Sequence, residues 1–190
     1  AGGCVRDLLL KRDPKDYDVA TSADPDQVEA LFKRTVAVGK QFGVIKVLDD
    51  DTDGYDVEVA TFRYDGPYLD GRHPSSVRFT NAAEDAARRD FTINALFLDP
   101  ESGEVIDHVG GRADLDAKVI RAVGEPRRRF EEDKLRLLRA IRFASGLNFD
   151  IETETFKAIG EMAGEIKVVS AERIQAELTK LLTARGQSRG

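Results

Sequence analysis

The pattern of apolar residues changes once along the chain, and this change constrains the fold more than any other feature. Up to about residue 118, short alternating segments typical of strands, such as Tyr55 to Arg63, lie between short helical patterns. After Pro126 strand patterns stop, and three helical patterns follow, at Arg127 to Ala144, Glu152 to Met162 and Ala171 to Thr183. We therefore predict an α/β domain over residues 1–120 and an all-helical domain over 121–190, with the boundary within residues 118–125.

Two consecutive glycines, Gly2 and Gly3, stand at the start of the first domain. Because glycine has no side chain, backbone amides at such a pair can approach a ligand closely and point at it together. The segment Val5 to Arg12 predicts a short helix, which would place these amides at its positive end. A phosphate-binding turn is the functional interpretation, although a glycine pair alone is not specific for phosphate.

Two acidic residues, Asp16 and Asp18, follow this segment, and the residues from Tyr17 to Thr21 alternate as in a strand. Since residues two apart in a strand face the same way, both carboxylates are expected on one face, as oxygen ligands for Mg²⁺. Glu58, on the strand predicted at Tyr55 to Arg63, adds a third carboxylate if it faces them. The alternatives are a solvated surface turn around Asp16 and an ordinary outward-facing Glu58.

Turn and capping residues define the other elements of the first domain. Asp24, Pro25 and Gln27 form a capping-box pattern that predicts a helix to about Lys33. Further predictions are strands at Val36 to Val38 and Phe42 to Leu48, an acidic turn at Asp49 to Gly54, a long loop at Arg63 to Thr80, a helix at Ala83 to Arg89, strands at Asn94 to Leu98 and Glu104 to Asp107, and a helix after Gly110-Gly111.

A row of charged residues marks the helix predicted at Arg127 to Ala144. Asp133, Arg136, Arg139 and Arg142 are spaced by three, so successive members are neighbours on the helix surface. A carboxylate beside a guanidinium matches the paired donor and acceptor of cytosine and adenine, and mismatches guanine and uracil. The alternative is a solvated stripe with an Asp133–Arg136 ion pair. The buried side is predicted at Leu135, Leu138, Ile141 and Ala144.

Composition excludes some classes of protein. The net charge of −6 disfavours a general nucleic-acid binder, but residues 121–145 carry eight Lys or Arg against four Asp or Glu. The single cysteine, Cys4, rules out an internal disulfide and is expected to be buried. No apolar run approaches the roughly 20 residues of a membrane span. We expect a cytoplasmic protein without a membrane partner, and a fragment, since the chain lacks an initiator Met.

Six sequence blocks occur in an order that resembles a known family. They are Gly2-Gly3-Cys4-Val5-Arg6-Asp7, Asp16-Tyr17-Asp18, Arg88-Arg89-Asp90-Phe91-Thr92-Ile93-Asn94-Ala95, Gly110-Gly111 with Asp114-Leu115, Glu132-Asp133-Lys134-Leu135-Arg136, and Glu172-Arg173 with Glu177. Over essentially its whole length the chain resembles the class II (bacterial-type) tRNA nucleotidyltransferases, or CCA-adding enzymes, and the related bacterial poly(A) polymerases.

The resemblance implies a catalytic head with a mixed nucleotidyltransferase-type sheet, followed by an all-α neck, with the body and tail absent. It implies that Asp16 and Asp18 bind Mg²⁺ and that Gly3 and Arg6 hold a triphosphate. Arg89 and Asp90 would contact the nucleotide, Asp133 and Arg136 its base, and Arg139 and Arg142 would complete the base pocket. Glu172, Arg173 and Glu177 would brace the neck, and the segment Tyr64 to Phe79 resembles a mobile loop. Where this chain has Lys11, the family often has glycine.

The function implied is Mg²⁺-dependent addition of CMP and AMP, from CTP and ATP, to the 3′ end of tRNA. One alternative is a bacterial poly(A) polymerase with the same head chemistry, and another is a non-catalytic RNA- or nucleotide-binding module. We assign no metal role to His73 or His108, and the sequence leaves the oligomeric state open.

Overall fold

The computed structural model describes residues 1–48, 56–68, 71 and 73–183. Two compact units form, one from residues 1–66, 74–89 and 94–109 and one from residues 67–73, 90–93 and 110–190. Neither unit is a continuous segment, so the predicted domain limits at residues 120 and 121 remain a prediction. The acidic turn predicted at 49–54, and Leu69, Asp70 and Arg72 of the predicted mobile loop, lie outside the described residues.

Within the described residues, the first unit contains three short α-helices and eight short strands. In chain order they are α1 (Gly3–Leu9), β1 (Asp18–Thr21), α2 (Pro25–Leu31), β2 (Thr35–Gly39), β3 (Val44–Val47), β4 (Val57–Thr61), β5 (Arg63–Asp65), β6 (Val77–Phe79), α3 (Ala82–Ala87), β7 (Leu96–Leu98) and β8 (Val105–Asp107).

A mixed four-stranded sheet of order β1-β4-β3-β2 forms the centre of this unit, as predicted. Strand β1 pairs with β4 in parallel, whereas β4 with β3 and β3 with β2 pair antiparallel. One face carries a buried cluster of Val28, Ile45, Val47 and Val59, with Ala23 and Val57 packed against it. Because strand side chains alternate between faces, burial of Val59 directs Glu58 to the opposite face.

Local sequence signals account for the ends of the first two helices. Asp24 caps α2 through both halves of a capping box, with Gln27 N donating to Asp24 Oδ1 at 2.9 Å and Asp24 N donating to Gln27 Oε1 at 2.8 Å. After α1, Lys11 has φ +56°, in the left-handed region that favours glycine. This backbone conformation explains why glycine suits that position.

The long loop predicted from Arg63 to Thr80 is wrong at both ends. Residues 63–65 and 77–79 form the antiparallel pair β5–β6, with Arg63 opposite Phe79 and Tyr64 opposite Arg78. The strand predicted to Arg63 is therefore divided between β4 and β5. The glycine and proline signals in the middle of this segment mark only the connection between the two strands.

The described part of the second unit contains five α-helices and two short strands. They are α4 (Gly111–Ala117), β9 (Val119–Ile120), α5 (Pro126–Glu132), α6 (Leu135–Leu147), β10 (Asp150–Ile151), α7 (Thr153–Met162) and α8 (Ala171–Thr183). The parallel pairing of β9 with β10 was missed, because each strand has only two residues and no alternation can be read over so short a run.

The continuous helix predicted at Arg127 to Ala144 is wrong, because Asp133 separates α5 from α6. Asp133 is extended, with φ −151° and ψ 108°, and its Oδ1 accepts a hydrogen bond from Leu135 N at 3.0 Å. A short acidic side chain that accepts from a nearby backbone N–H competes with helix continuation. Asp133 therefore lies at the start of the arginine row and outside the helix that carries it.

The buried side of α6 also differs from the prediction. Leu135 is buried as expected, but Ile141 is 39% exposed, and Leu137, Ala140 and Leu147 complete the buried set. Because helix α6 also packs against α8, its charged row is covered as well. None of the helices within the described residues is long and apolar enough to cross a membrane.

We predict that Asp24→Ala destabilises the first unit without changing its fold. The substitution removes the acceptor for Gln27 N, and loss of such a cap costs about 0.5–2 kcal/mol. Urea unfolding followed by circular dichroism measures the change. Asp26→Ala is the control on the same helix, since the Asp26–Lys40 pair is exposed and a surface ion pair contributes at most about 1 kcal/mol. Equal losses for both variants would contradict the capping assignment.

Candidate active site

The predicted phosphate-binding turn is a glycine turn with positive φ that is hydrogen-bonded to strand β7. Gly2 has φ +70° and ψ −126°, and its N–H donates to Leu96 O at 2.8 Å. A Cβ at this position would lie 2.7 Å from Nη1 of Arg89. Both the backbone conformation and the close arginine therefore require glycine here, and helix α1 begins at Gly3, two residues earlier than predicted.

Two predicted nucleotide-binding arginines converge on Asn94 beside this turn. Arg89 donates from Nη1 to the backbone oxygen of Asn94 at 3.0 Å and from Nε to Asp85 Oδ2 at 3.1 Å, and its guanidinium lies 4.9 Å from the Phe97 ring centroid. Arg6 donates from Nη1 to Asn94 Oδ1 at 2.6 Å. Both guanidinium groups are thus oriented by protein partners.

The acidic pair lies next to the same turn. The Ala1 nitrogen donates to Asp18 O at 2.6 Å, and Cys4 Sγ, buried as predicted, lies 3.9 Å from that oxygen. The side chains of Asp16 and Asp18 are exposed, and neither forms a hydrogen bond or ion pair with another side chain in the described part of the chain. Strand β1 begins at Asp18, so Asp16 precedes the strand and the prediction of a common strand face for the two carboxylates is wrong. The contacts with Ala1 and Cys4 place Asp18 beside the glycine turn, and Asp16 lies two residues before it.

Glu58 occupies a different electrostatic environment, although it is close to Asp18. The parallel register of β1 and β4 places Glu58 beside Asp18, and the antiparallel register of β3 and β4 places Lys46 on its other side. The Lys46 ammonium lies 2.6 Å from Asp56, and this hydrogen bond is the main reason for its raised pKa, to which the charge of Glu58 contributes. Glu58 thus has a lysine beside it, whereas no Lys or Arg side chain among the described residues pairs with the carboxylate of Asp18.

The donor chemistry of Asp16 and Asp18 fits magnesium. Among residues 1–48, 56–68, 71 and 73–183, no group of three or more His, Cys, Asp or Glu side chains is arranged to hold a metal ion. Mg²⁺ in nucleotide sites takes one or two carboxylates and completes its shell with water and substrate phosphates, so two carboxylates suffice.

In the second unit, the two residues predicted to recognise the base are held by separate partners. Asp133 Oδ2 accepts from Arg173 Nη2 at 2.8 Å, whereas Arg136 Nη1 donates to Glu132 Oε2 at 2.6 Å and to Arg129 O at 2.9 Å. Arg136 N also donates to Asp133 O at 3.0 Å. The described residues contain no Asp133–Arg136 side-chain ion pair, which contradicts that alternative.

The remaining two arginines of the row pair with distant carboxylates of the same unit. Arg139 donates from Nε and Nη2 to Asp90 Oδ2 at 2.8 and 2.6 Å, and this carboxylate raises the pKa of Arg139. Arg142 Nε donates to Glu177 Oε2 at 2.5 Å, and Glu177 is only 4% exposed. Arg173 and Glu177 of α8 therefore contact the arginine row directly.

Burial of the row contradicts the interpretation of a solvated stripe. The side chains of Asp133, Arg136 and Arg142 are 16%, 11% and 18% exposed, respectively, and Arg139 is 32% exposed. The guanidinium of Arg142 also lies 4.1 Å from the Phe143 ring centroid. Charges this deeply placed need partners, and the paired carboxylates supply them.

Asp85 was not predicted as a site residue, although it contacts two arginines of the Arg88-Arg89-Asp90 block. A signal for it was present, because Asp85 precedes Arg88 and Arg89 by three and four residues, the spacing of helical ion pairs. Thr92 and Asp114 are a second missed pair, joined at 2.7 Å within the second unit.

Comparisons with known proteins identify the family of this chain. Residues 1–121 match the family described as "Poly A polymerase head domain", and residues 148–190 match "Probable RNA and SrmB- binding site of polymerase A". The CCA-adding enzyme of Levilactobacillus brevis is 50% identical over 190 residues, which are 100% of this chain and 47% of that protein. The chain spans about half the length of the curated relatives it matches.

Solved structures give the same result. The crystal structure of the Bacillus stearothermophilus CCA-adding enzyme in complex with CTP is 43% identical, with a TM-score of 0.86 over 97% of this chain and 44% of that chain. The Thermotoga maritima CCA-adding enzyme complexed with tRNA is 28% identical, with a TM-score of 0.77 over 97% and 42% of the two chains. With the head-domain match covering more than half of its residues, the chain belongs to the poly(A) polymerase head-domain family, which it shares with these CCA-adding relatives.

Proposed function

We propose that this protein is a template-independent RNA nucleotidyltransferase that adds CMP and AMP, from CTP and ATP, to the 3′ end of tRNA. The observation that carries the proposal is the contact between the start of the glycine turn and strand β1, which begins at Asp18, two residues after Asp16, with both aspartate side chains uncompensated. Such a turn suits a triphosphate and such a pair suits its metal. The identity to CCA-adding enzymes supports tRNA as the acceptor.

We assign binding of the triphosphate and of the metal ion to residues of the first unit. The amides at Gly2 and Gly3 and the guanidinium of Arg6 hold the phosphates, and Arg89 contributes from beneath the turn. Asp16 and Asp18 hold Mg²⁺, and Glu58 is the adjacent carboxylate on the same face. When bound, Mg²⁺ polarises the α-phosphate and lowers the pKa of the attacking hydroxyl.

We assign recognition of the ribose and of the base to residues of the second unit. Asp90, held by Arg139, accepts from the ribose hydroxyls. Asp133 and Arg136 present an acceptor beside donors, which matches cytosine and adenine, and Arg142 fixes the row through Glu177. Residues 121–190 then act as the base-recognition neck, and residues 1–120 as the catalytic head.

The reaction forms a bond from the RNA 3′-oxygen to the α-phosphorus and breaks the bond from that phosphorus to the pyrophosphate leaving group. The chain contributes little covalent chemistry. Its residues orient the triphosphate and stabilise the charge that develops on it, and these two effects dominate catalysis of phosphoryl transfer.

The direct test uses the purified protein, MgCl₂, a tRNA that ends at the discriminator base, and each of the four labelled nucleoside triphosphates. We expect incorporation from CTP and ATP only, up to three nucleotides, and loss of incorporation in EDTA. A long adenylate tail would identify a poly(A) polymerase instead. Nucleotide binding without Mg²⁺-dependent release of pyrophosphate would identify a non-catalytic binding module.

We predict that Asp18→Asn abolishes incorporation and leaves the thermal unfolding midpoint unchanged. The substitution removes a metal ligand, whereas the exposed Asp18 side chain has no partner among the described residues whose loss would cost stability. Labelled CTP incorporation and calorimetry measure the two effects. Asp26→Asn, an exposed aspartate on α2, is the matched control and should retain activity. Substantial Mg²⁺-dependent activity in Asp18→Asn would refute the metal assignment.

We predict that Arg136→Ala reduces the preference for CTP and ATP over UTP and GTP. A bidentate base contact supplies about 1–3 kcal/mol of discrimination, or about 5- to 150-fold. The fold should tolerate the change, because Glu132 keeps its 2.8 Å contact with Arg129. Ratios of kcat/KM for the four nucleotides measure the preference.

The control for this variant is Arg128→Ala, which removes an exposed arginine from α5. It should leave the ratios unchanged. If Arg136→Ala also leaves them unchanged, the arginine row does not recognise the base.

A further inference from the structure

We propose that Asp85 is a positioning residue for the triphosphate site and that it acts through Arg89 on the glycine turn. This inference rests on the proposed function and extends it to a residue outside the six sequence blocks. All of the contacts involved lie within the first unit.

Asp85 is a buried carboxylate with several donors around it. It lies on α3, is 2% exposed, and its two oxygens serve different partners. Oδ1 accepts from Nε and Nη2 of Arg88 at 2.9 and 2.7 Å and from Arg63 N at 3.2 Å. Oδ2 accepts from Nε of Arg89 at 3.1 Å, with Nη2 of Arg89 at the same distance.

This arrangement fixes the side chain of Arg89 from one side. The other end of the guanidinium donates to Asn94 O, and its face lies over the ring of Phe97. A guanidinium held at both ends and on one face has a single orientation. Since an arginine normally has large rotational freedom, an anchored one loses little of it when it supports a ligand site.

The oriented guanidinium lies directly beneath the glycine turn. Nη1 of Arg89 occupies the space that a Cβ of Gly2 would enter, and Gly2 is held in a positive-φ conformation by its bond to Leu96 O. A shift of Arg89 therefore moves the turn that carries the phosphate-binding amides. Because misplacement by about 1 Å can cost 100-fold in rate, Asp85 controls the site without contacting substrate.

The neighbouring Glu84 shows that an acidic residue on α3 does not by itself have this role. Its side chain is 42% exposed and pairs with Arg78 and Thr80, both at 2.8 Å. It has no contact with Arg89 in the described part of the chain. Glu84 therefore supplies a matched control of the same charge, on the same helix, one position away.

The test compares Asp85→Asn with Glu84→Gln in the intact protein. An asparagine can keep its oxygen toward Arg88 and Arg63 N, where three donors converge, and then turns an N–H₂ group toward Arg89. We expect kcat/KM for CTP to fall by about 10- to 100-fold, by analogy with the loss that follows when the hydrogen-bond partner of a metal-binding side chain is removed. The KM for tRNA should change little. The unfolding midpoint should fall, because Arg88 and Arg89 lose the charge of a buried carboxylate, so both variants are compared at a temperature well below that midpoint. Glu84→Gln should match the wild type in kcat/KM.

A double-mutant cycle separates positioning from general stabilisation. If Asp85 acts through Arg89, the loss caused by Asp85→Asn shrinks to within about twofold in an Arg89→Ala background. An equal loss in both backgrounds would overturn the proposal, because the effect would then run through Arg88 or the backbone of Arg63.

A measurement on the protein alone distinguishes failure of this inference from failure of the proposed function. Amide hydrogen exchange at Gly2, Gly3 and Cys4 should accelerate severalfold in Asp85→Asn and stay at the wild-type rate in Glu84→Gln. Unchanged exchange in both variants overturns the positioning role, whatever the activity. A wild-type protein that adds no nucleotide, while exchange responds as expected, overturns the proposed function and leaves the role of Asp85 in the turn intact.

Discussion

Buried arginine–carboxylate pairs are the interaction on which both units depend. Arg139 with Asp90 and Arg142 with Glu177 join segments 49 and 35 residues apart, while Asp85 fixes the arginines that follow it. Removal of one partner from such a pair leaves an uncompensated buried charge, at a cost of about 3–5 kcal/mol. These pairs therefore fix charged side chains inside the protein, where apolar surroundings alone would not stabilise a charge.

The pairing also affects how a nucleotide would bind. A guanidinium has five N–H donors, so one carboxylate partner orients it without using its full capacity. Arg139 directs Nε and Nη2 to Asp90, and Arg136 directs Nη1 to Glu132 and Arg129 O. A ligand then meets donors whose orientation is already fixed, so less side-chain entropy is lost on binding. Preorganised donors of this kind are also those that stabilise developing charge best.

Local signals were sufficient to predict much of the fold, and long-range pairings were not. The capping box at Asp24 and helix α8 depend on neighbours within a few residues, and both were predicted correctly. The break at Asp133 was missed because an aspartate inside a helical pattern can either continue the helix or accept from a nearby backbone N–H, as it does here from Leu135 N. Its ion-pair partner Arg173, 40 residues away, was also not predicted. Burial of the charged side of α6 could not be predicted from the sequence either, because it depends on the position of Glu177 in the folded chain. The candidate site residues were predicted from the six sequence blocks, whereas their hydrogen-bond and ion-pair partners are known only from the structure.

The contrast between Glu58 and Asp18 shows how strand register selects the candidate metal ligands. Both carboxylates lie on the same exposed face and are direct neighbours in the ladder. The antiparallel neighbour of Glu58 is Lys46, whose ammonium compensates negative charge from Asp56 and Glu58 together. A divalent cation near Glu58 is therefore repelled by a fixed positive charge, whereas Asp18 at the sheet edge meets no such cation among the described side chains. Edge position and register thus leave the Asp18 carboxylate uncompensated beside the glycine turn, and the exposed Asp16, two residues before the strand, adds a second one.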